Sequence, residues 1–300
     1  MYKFAPFFVV LAAVLWGVDG IILRPALYGL PVALVVFLET TSVSLILTPF
    51  LFRKLKAVKN LQLMDFLAFF VVAAIGGVAG IMAITKALFY VNYINLSIVV
   101  LIQKLQPVFA IVLAALLLRE KPSPQFILWA ILAIGGAYLM TFGLTLPNFH
   151  TGDKTTEAAG YALLAAASFG CSTVFSKRAL KNVEFEFATY FRFLIASTIS
   201  FIIVLFMGYL PEIPTISKSQ WSVLATIVMT IGVPAVFLYY YGLKRIKASV
   251  ATICELAFPM TAVILEYFVH EKLLSWIQWL GVFLLLLSII RVTRMQHKRR

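Results

Sequence analysis

The sequence predicts an all-α integral membrane protein of ten transmembrane helices arranged as two inverted five-helix repeats, and three observations carry that prediction. Hydrophobic residues fill 62% of the 300 positions and charged residues only 12%, where soluble domains are about 25% charged. Apolar runs of about 20 residues, the length a helix needs to cross a bilayer, recur ten times along the chain. The second half of the chain also repeats the first at a shift of about 152 residues, a period long enough to contain five spans.

Span one covers residues 4–23; it follows Lys3, is of full span length and has no clear small-residue cleavage site after it, so it reads as a helix and not a signal peptide. Spans two and three cover 31–52 and 65–86, the latter ending near Lys86, whose stem is long enough to snorkel to the interface. Span four, 95–118, carries Gln103, Lys104 and Gln106 and then Pro107 in an otherwise apolar run. Span five, 125–146, leads into the polar connection "PNFHTGDKTTE", after which spans six and seven cover 159–177 and 187–209. Beyond "PEIPTISKSQ" come spans eight (220–243), nine (248–269) and ten (273–291). These connections leave no room for a soluble domain.

The formal charge of +13 is topological information. With ten spans both termini share a side, and that side collects 18 basic residues against four on the other. The positive-inside rule then makes it cytoplasmic, giving a multi-pass protein of the inner or plasma membrane with both termini inside. The basic tail "RVTRMQHKRR" follows from the same rule, and no nucleic-acid partner is expected. Cys171 and Cys254 fall within spans without a CxxC or a histidine at ligand spacing, and His150, His270 and His297 fall outside span centres. Neither a metal nor a cofactor is expected.

The repeat divides the chain into residues 1–150 and 151–300. "LWGVDGIILRPAL" (Leu15 to Leu27) aligns with "SFGCSTVFSKRAL" (Ser168 to Leu180), sharing an aromatic-Gly doublet, a basic residue seven positions after that glycine and a final Ala-Leu. "LSIVVLIQKLQPVFA" (Leu96 to Ala110) aligns with "ASVATICELAFPMTA" (Ala248 to Ala262), and each then reaches "REK" or "HEK". An odd number of spans per repeat forces the halves into opposite orientations. Inverted repeats are a recurrent architecture of secondary transporters, with the substrate site near the midplane between the halves.

Charge buried in a membrane faces the bundle interior and pairs or serves a pathway. The candidates are Asp19, Glu39, Lys104, Arg192 and Glu255, with Gln103 and Gln106 beside Lys104 and the aromatics Trp16, Tyr239 and Tyr240 as walls. At about 100° per residue, Gln103, Gln106 and Pro107 share one face of span four, and a comparable polar stripe containing Glu255 and Glu266 lines span nine. Glu39 and Arg192 occupy corresponding positions, so a cross-half ion pair and a pathway role are both open to them. Pro107, Pro234 and Pro259 each remove a helix hydrogen bond within a span and predict a bend. A membrane enzyme would need a nucleophile with its base or a metal cluster, and no such motif is visible.

The aromatic-Gly doublets, "RFLIA" (Arg192 to Ala196) and the proline of spans four and nine followed 12 or 13 residues later by glutamate together resemble the EamA-type, ten-span members of the drug/metabolite transporter superfamily. The resemblance covers the full chain. It implies a central cavity and alternating access that moves amino acids or other small metabolites, often outward. The expected activity is therefore secondary transport, the export of a small polar metabolite with an amino acid as first choice, without enzymatic chemistry. Lys104, Gln103 and Gln106 would meet a carboxylate, and Glu255 or Asp19 would meet an amino group or carry a coupling proton. The alternatives are an organic anion or phosphorylated metabolite bound by Lys86, Lys104 and Arg192, and a receptor or structural role without flux. Monomer and homodimer are both compatible with the sequence.

Overall fold

In lipid a chain segment must satisfy its own backbone polar groups, so uncharged apolar runs fold as helices. The computed structural model describes residues 4–27, 29–89, 99, 102–145, 155–269, 271 and 273–298. Among these, nine helices are long and apolar enough to cross a membrane. They are α1 (Ala5–Leu27), α2 (Val32–Leu51), α3 (Leu63–Ile84), α5 (Pro124–Phe142), α6 (Thr156–Ala179), α7 (Phe185–Met207), α8 (Lys218–Arg245), α9 (Ala248–Val269) and α10 (Trp276–Gln296). The remaining span is represented by α4, Gln106–Leu117. Its predicted start, and with it Ser97, lies outside the described residues, as do Lys3, His150, Lys154, His270 and Lys272.

Local chemistry sets the ends. Ser123 Oγ accepts from the N–H of Phe126 at 3.2 Å to start α5, and Ser217 with Gln220 forms a reciprocal capping box at the start of α8. Asp65 and Gln62 do the same for α3, so that helix begins at Leu63 and not at the predicted 65. Gly143 (φ 61) and Gly208 (φ 71) end α5 and α7 in conformations that suit a residue lacking Cβ. α1 runs past the predicted residue 23 because it widens into a π-helical turn at Asp19–Leu23 and closes with a 3-10 turn at Arg24–Leu27. π-helical turns also interrupt α3 at Val72–Ala79 and α8 at Val228–Gly232, the third helix of each half.

The main packing pairs are α5 with α10, α2 with α7, α4 with α9, α1 with α8, α3 with α6, α1 with α9, α4 with α6, α3 with α7 and α2 with α8. Replacing each helix by the one five places on maps these pairs onto one another, whereas the contacts of α7 with α8 and of α9 with α10, about as extensive as that of α2 with α8, fall outside the pattern. The interfaces are rich in alanine: Ala12, Ala13, Ala110, Ala114, Ala133 and Ala137 are all fully buried. Small side chains let membrane helices approach closely, which is what association needs where lipid is as apolar as leucine. Large apolar residues such as Phe50, Leu116, Phe206 and Phe268 remain at least 70% exposed, as expected of a surface solvated by acyl chains.

The aromatic-Gly doublets acquire a structural meaning here. A Cβ on Gly17 of α1 would lie 2.9 Å from the carbonyl oxygen of Phe258 in α9, and a Cβ on Gly170 of α6 would lie 2.9 Å from that of Gln106 in α4. Phe258 and Gln106 are themselves counterparts in the repeat and immediately precede Pro259 and Pro107. Each glycine therefore admits the bend of a helix from the other half. A third close approach joins α5 and α10, where a Cβ on Gly136 would lie 2.9 Å from the amide nitrogen of Leu285.

Candidate functional site

Both polar helices break where their prolines require it. α9 is helical over Ala248–Cys254, passes through a turn at Glu255 and Leu256, and resumes over Ala257–Val269. On the α4 side, helix at Ile102 and Gln103 gives way to a turn at Lys104 and Leu105 before Gln106–Leu117. Pro107 and Pro259 have no N–H for the carbonyls of Gln103 and Glu255 four residues back. Phe258 instead donates to the Glu255 carbonyl at 2.9 Å, tightening the chain to a 3-10 turn. Pro234 follows the π-helical turn of α8 with only Val233 between them. All three expected bend sites thus coincide with or adjoin an interruption.

The break in α9 projects the Glu255 carboxylate into a four-helix junction. Gln106 of α4 donates to its Oε2 at 2.7 Å, Tyr239 of α8 donates to Oε1 at 2.7 Å, and Thr173 of α6 donates to Oε1 at 3.0 Å. Tyr239 also lies 3.2 Å from the Thr173 hydroxyl. Three donors on one half-buried carboxylate inside the bundle are what a partly desolvated charge requires. Trp16 of α1 extends the cluster, its ring 5.2 Å from that of Tyr239. Tyr240 lies beside Tyr239, shares a 3.1 Å hydrogen bond with Ser176, and sits beneath the Arg192 guanidinium at 5.6 Å, within cation–π range.

Six of the ten residues selected from sequence therefore join one cluster: Trp16, Gln106, Arg192, Tyr239, Tyr240 and Glu255. Gln103 is half-buried on the same break. Lys104 is 6% exposed, and its Nζ has no hydrogen-bond partner among the described residues. It forms no ion pair with Glu255.

Asp19 and Glu39 form a second, separate cluster around Arg24. Arg24 Nη2 lies 2.6 Å from Asp19 Oδ2 and 3.3 Å from Glu39 Oε1. The π-helical turn places Asp19 so that Arg24, five residues on, can fold back onto it. Glu39 and Arg192 consequently do not form the cross-half pair that was one of the expectations: Arg24 meets the acid, and aromatic rings receive the base. Lys86 is exposed, so Lys86, Lys104 and Arg192 occupy three different environments. Sequence reasoning missed Thr173 and Arg24. Thr173 is an ordinary helical threonine whose role depends on which helix faces it, and Arg24 reads as a loop residue next to Pro25.

The sequence model of the EamA-like transporter family matches residues 3–142 and again residues 157–294. This chain belongs to the EamA-like transporter family. It is a multi-pass membrane transporter and not an enzyme. The chain is 44% identical over 289 residues, 96% of each chain, to the riboflavin transporter ImpX of Fusobacterium nucleatum. It is 27% identical to the uncharacterized transporter YwfM of Bacillus subtilis, over 65% of this chain and 63% of that one. A protein of known crystal structure superposes with a TM-score of 0.74 over 99% of both chains at 16% identity, a likeness of fold.

Proposed function

We propose that this transporter carries a flavin, riboflavin or a near relative, by alternating access between two inverted five-helix halves, residues 1–150 and 151–300, with both termini cytoplasmic. The observation that carries the substrate class is the 44% identity, over nearly the whole of both chains, to a riboflavin transporter. The correspondence of most of the main packing pairs under exchange of halves, and the family model matching once in each, support the two-repeat reading. A flavin takes the place of the amino acid that was the first expectation.

The chemistry of the cluster suits this ligand. A flavin offers a flat aromatic ring system, a pyrimidine edge with carbonyl acceptors and one N–H, and a chain of hydroxyls. Trp16 and Tyr239 supply faces for stacking. Glu255 accepts from hydroxyl or N–H, Gln103 and Gln106 both donate and accept, and the Lys104 ammonium, which lacks a partner, donates to the carbonyl edge. Binding requires the substrate to replace the internal donors now on Glu255, which keeps the carboxylate satisfied when the site is empty.

Riboflavin fluorescence inside proteoliposomes tests the proposal. Saturable flux that flavin analogues inhibit and amino acids do not is the expected result. Amino-acid flux without flavin flux would return the first expectation. Preference for a phosphorylated flavin would favour the organic-anion reading, which the unpartnered Lys104 supports.

A further inference from the structure

The glutamate of the "REK" motif has no part in the site described above, yet it joins the two halves. Glu120 lies just beyond α4, and its carboxylate takes three hydrogens from the start of α9. Oε1 accepts from the N–H of Ala248 at 2.7 Å; Oε2 accepts from the N–H of Ser249 at 3.1 Å and from its hydroxyl at 2.6 Å. An anion on the first N–H groups of a helix satisfies donors that have no partner within the helix and meets the positive end of its dipole. Its neighbour aims it: Arg119 is left-handed at φ 54, and the turn lets the Glu120 N–H donate back to the Ala114 carbonyl at 3.1 Å.

The segment so capped is only 7 residues long, Ala248–Cys254, and ends at the break that carries Glu255. Gln106 holds that break from the other side of the half-to-half boundary. The first half therefore grips this short helix at both ends. Two more links join the halves at the same end of the bundle, Arg178 to the fully buried Asp65 at 2.6 Å and Lys54 to Glu184 at 2.6 Å. Separation of the halves at this basic end requires Glu120 to release α9.

We infer that Glu120 is a latch: it holds Ala248–Cys254 against the turn after α4, closes the basic end of the transporter, and on release lets that segment move about the Glu255–Leu256 break. This rests on the alternating-access reading but not on the identity of the substrate.

The test uses the full chain in liposomes, with Cys171 and Cys254 replaced by alanine and one new cysteine at Thr252, which is fully buried within the segment. Without any substrate, Glu120→Gln is expected to speed labelling of Thr252→Cys by a small thiol reagent about tenfold, the change in population that follows loss of one charge-assisted hydrogen bond. Ser249→Ala, which removes only the hydroxyl contact, is expected to give a smaller rise. Labelling at a reporter Leu144→Cys, already 74% exposed, is expected to stay unchanged and so to exclude general unfolding. Unchanged labelling at Thr252→Cys in both latch variants would overturn the inference, and Ser249→Ala decides alone if Glu120→Gln does not fold. A failure to carry flavin in a separate flux measurement would count against the substrate assignment only.

Discussion

Alanine at Gly170 tests whether the glycines of the aromatic-Gly doublets exist to admit the bends of α4 and α9. The added methyl would meet the Gln106 carbonyl oxygen at 2.9 Å, the Ala110 amide nitrogen at 3.0 Å and the Phe109 Cβ at 3.0 Å. Comfortable contacts between such atoms begin near ~3.5 Å, and two of the three are backbone, so no rotamer relieves them. α6 must then move from α4 by about half an ångström, at the residue whose side chain holds Glu255. Overpacking of this kind costs about 1–3 kcal/mol. Gly17→Ala faces the same geometry against Thr261 and Phe258, and because the two interfaces are separate, the double variant should lose about the sum of the single losses. Gly160→Ala is the control: it lies in α6 with nothing within 4 Å of a built Cβ, and alanine there should stabilise the helix by about 0.5–1 kcal/mol. Unfolding in detergent, followed by flux for each variant, reads the difference. If Gly170→Ala is as stable as Gly160→Ala and transports normally, the close approach is not what the doublet provides.

Glu255→Ala strips the acceptor from Gln106, Thr173 and Tyr239; Tyr239 keeps the Thr173 hydroxyl and Thr173 keeps the Phe169 carbonyl, so the cost is about 1–3 kcal/mol for the Gln106 donor left unpaired. Unfolding and flavin flux should both suffer, whereas a stable variant with normal flux would remove Glu255 from the site. Lys104→Met replaces a buried ammonium lacking a partner by an apolar chain of similar length, so stability should rise by about 1 kcal/mol or more while flux falls; a parallel loss of both would mean that Lys104 is structural. The contact between Lys54 and Glu184 carries a pH signature. The hydrogen bond from Lys54 holds the Glu184 carboxyl below its usual range, and the same bond raises Lys54. Its stabilisation is present at neutral pH, is lost as pH falls through the depressed carboxylate value, and is lost again as pH rises through the raised ammonium value. The effect is small because the Glu184 side chain is 68% exposed, and the difference in melting between the native chain and Glu184→Gln should vanish at both extremes.

The helix count and the residues of the central cluster were legible because they leave one-dimensional traces. Twenty apolar residues in a row allow no other fold in lipid, and a glutamine or glutamate beside a proline in such a run stands out without knowledge of its neighbours. Pairings were less legible. Glu39 and Arg192 correspond in the repeat, but correspondence under a two-fold exchange does not make residues adjacent, and the nearer base, Arg24, reached Glu39 through a π-helical turn that no residue pattern announces. Thr173 donates to Glu255 only because α6 lies against both α4 and α9. The apolar run that predicts α1 stops at residue 23, whereas the chain stays helical to Leu27 with Arg24 paired to Asp19.

The crossing of α5 and α10 limits how the molecule can move. With the Gly136 carbonyl oxygen 2.8 Å from a Cβ built on Gly281, the two backbones touch, and neither helix can slide past the other without driving a neighbouring side chain into main-chain atoms. Rotation about the point of contact is still permitted. The pair works as an axle, fixing one line through the bundle, and a side chain gained at either glycine has no compensating deletion available on the other, since the partner already has nothing to remove.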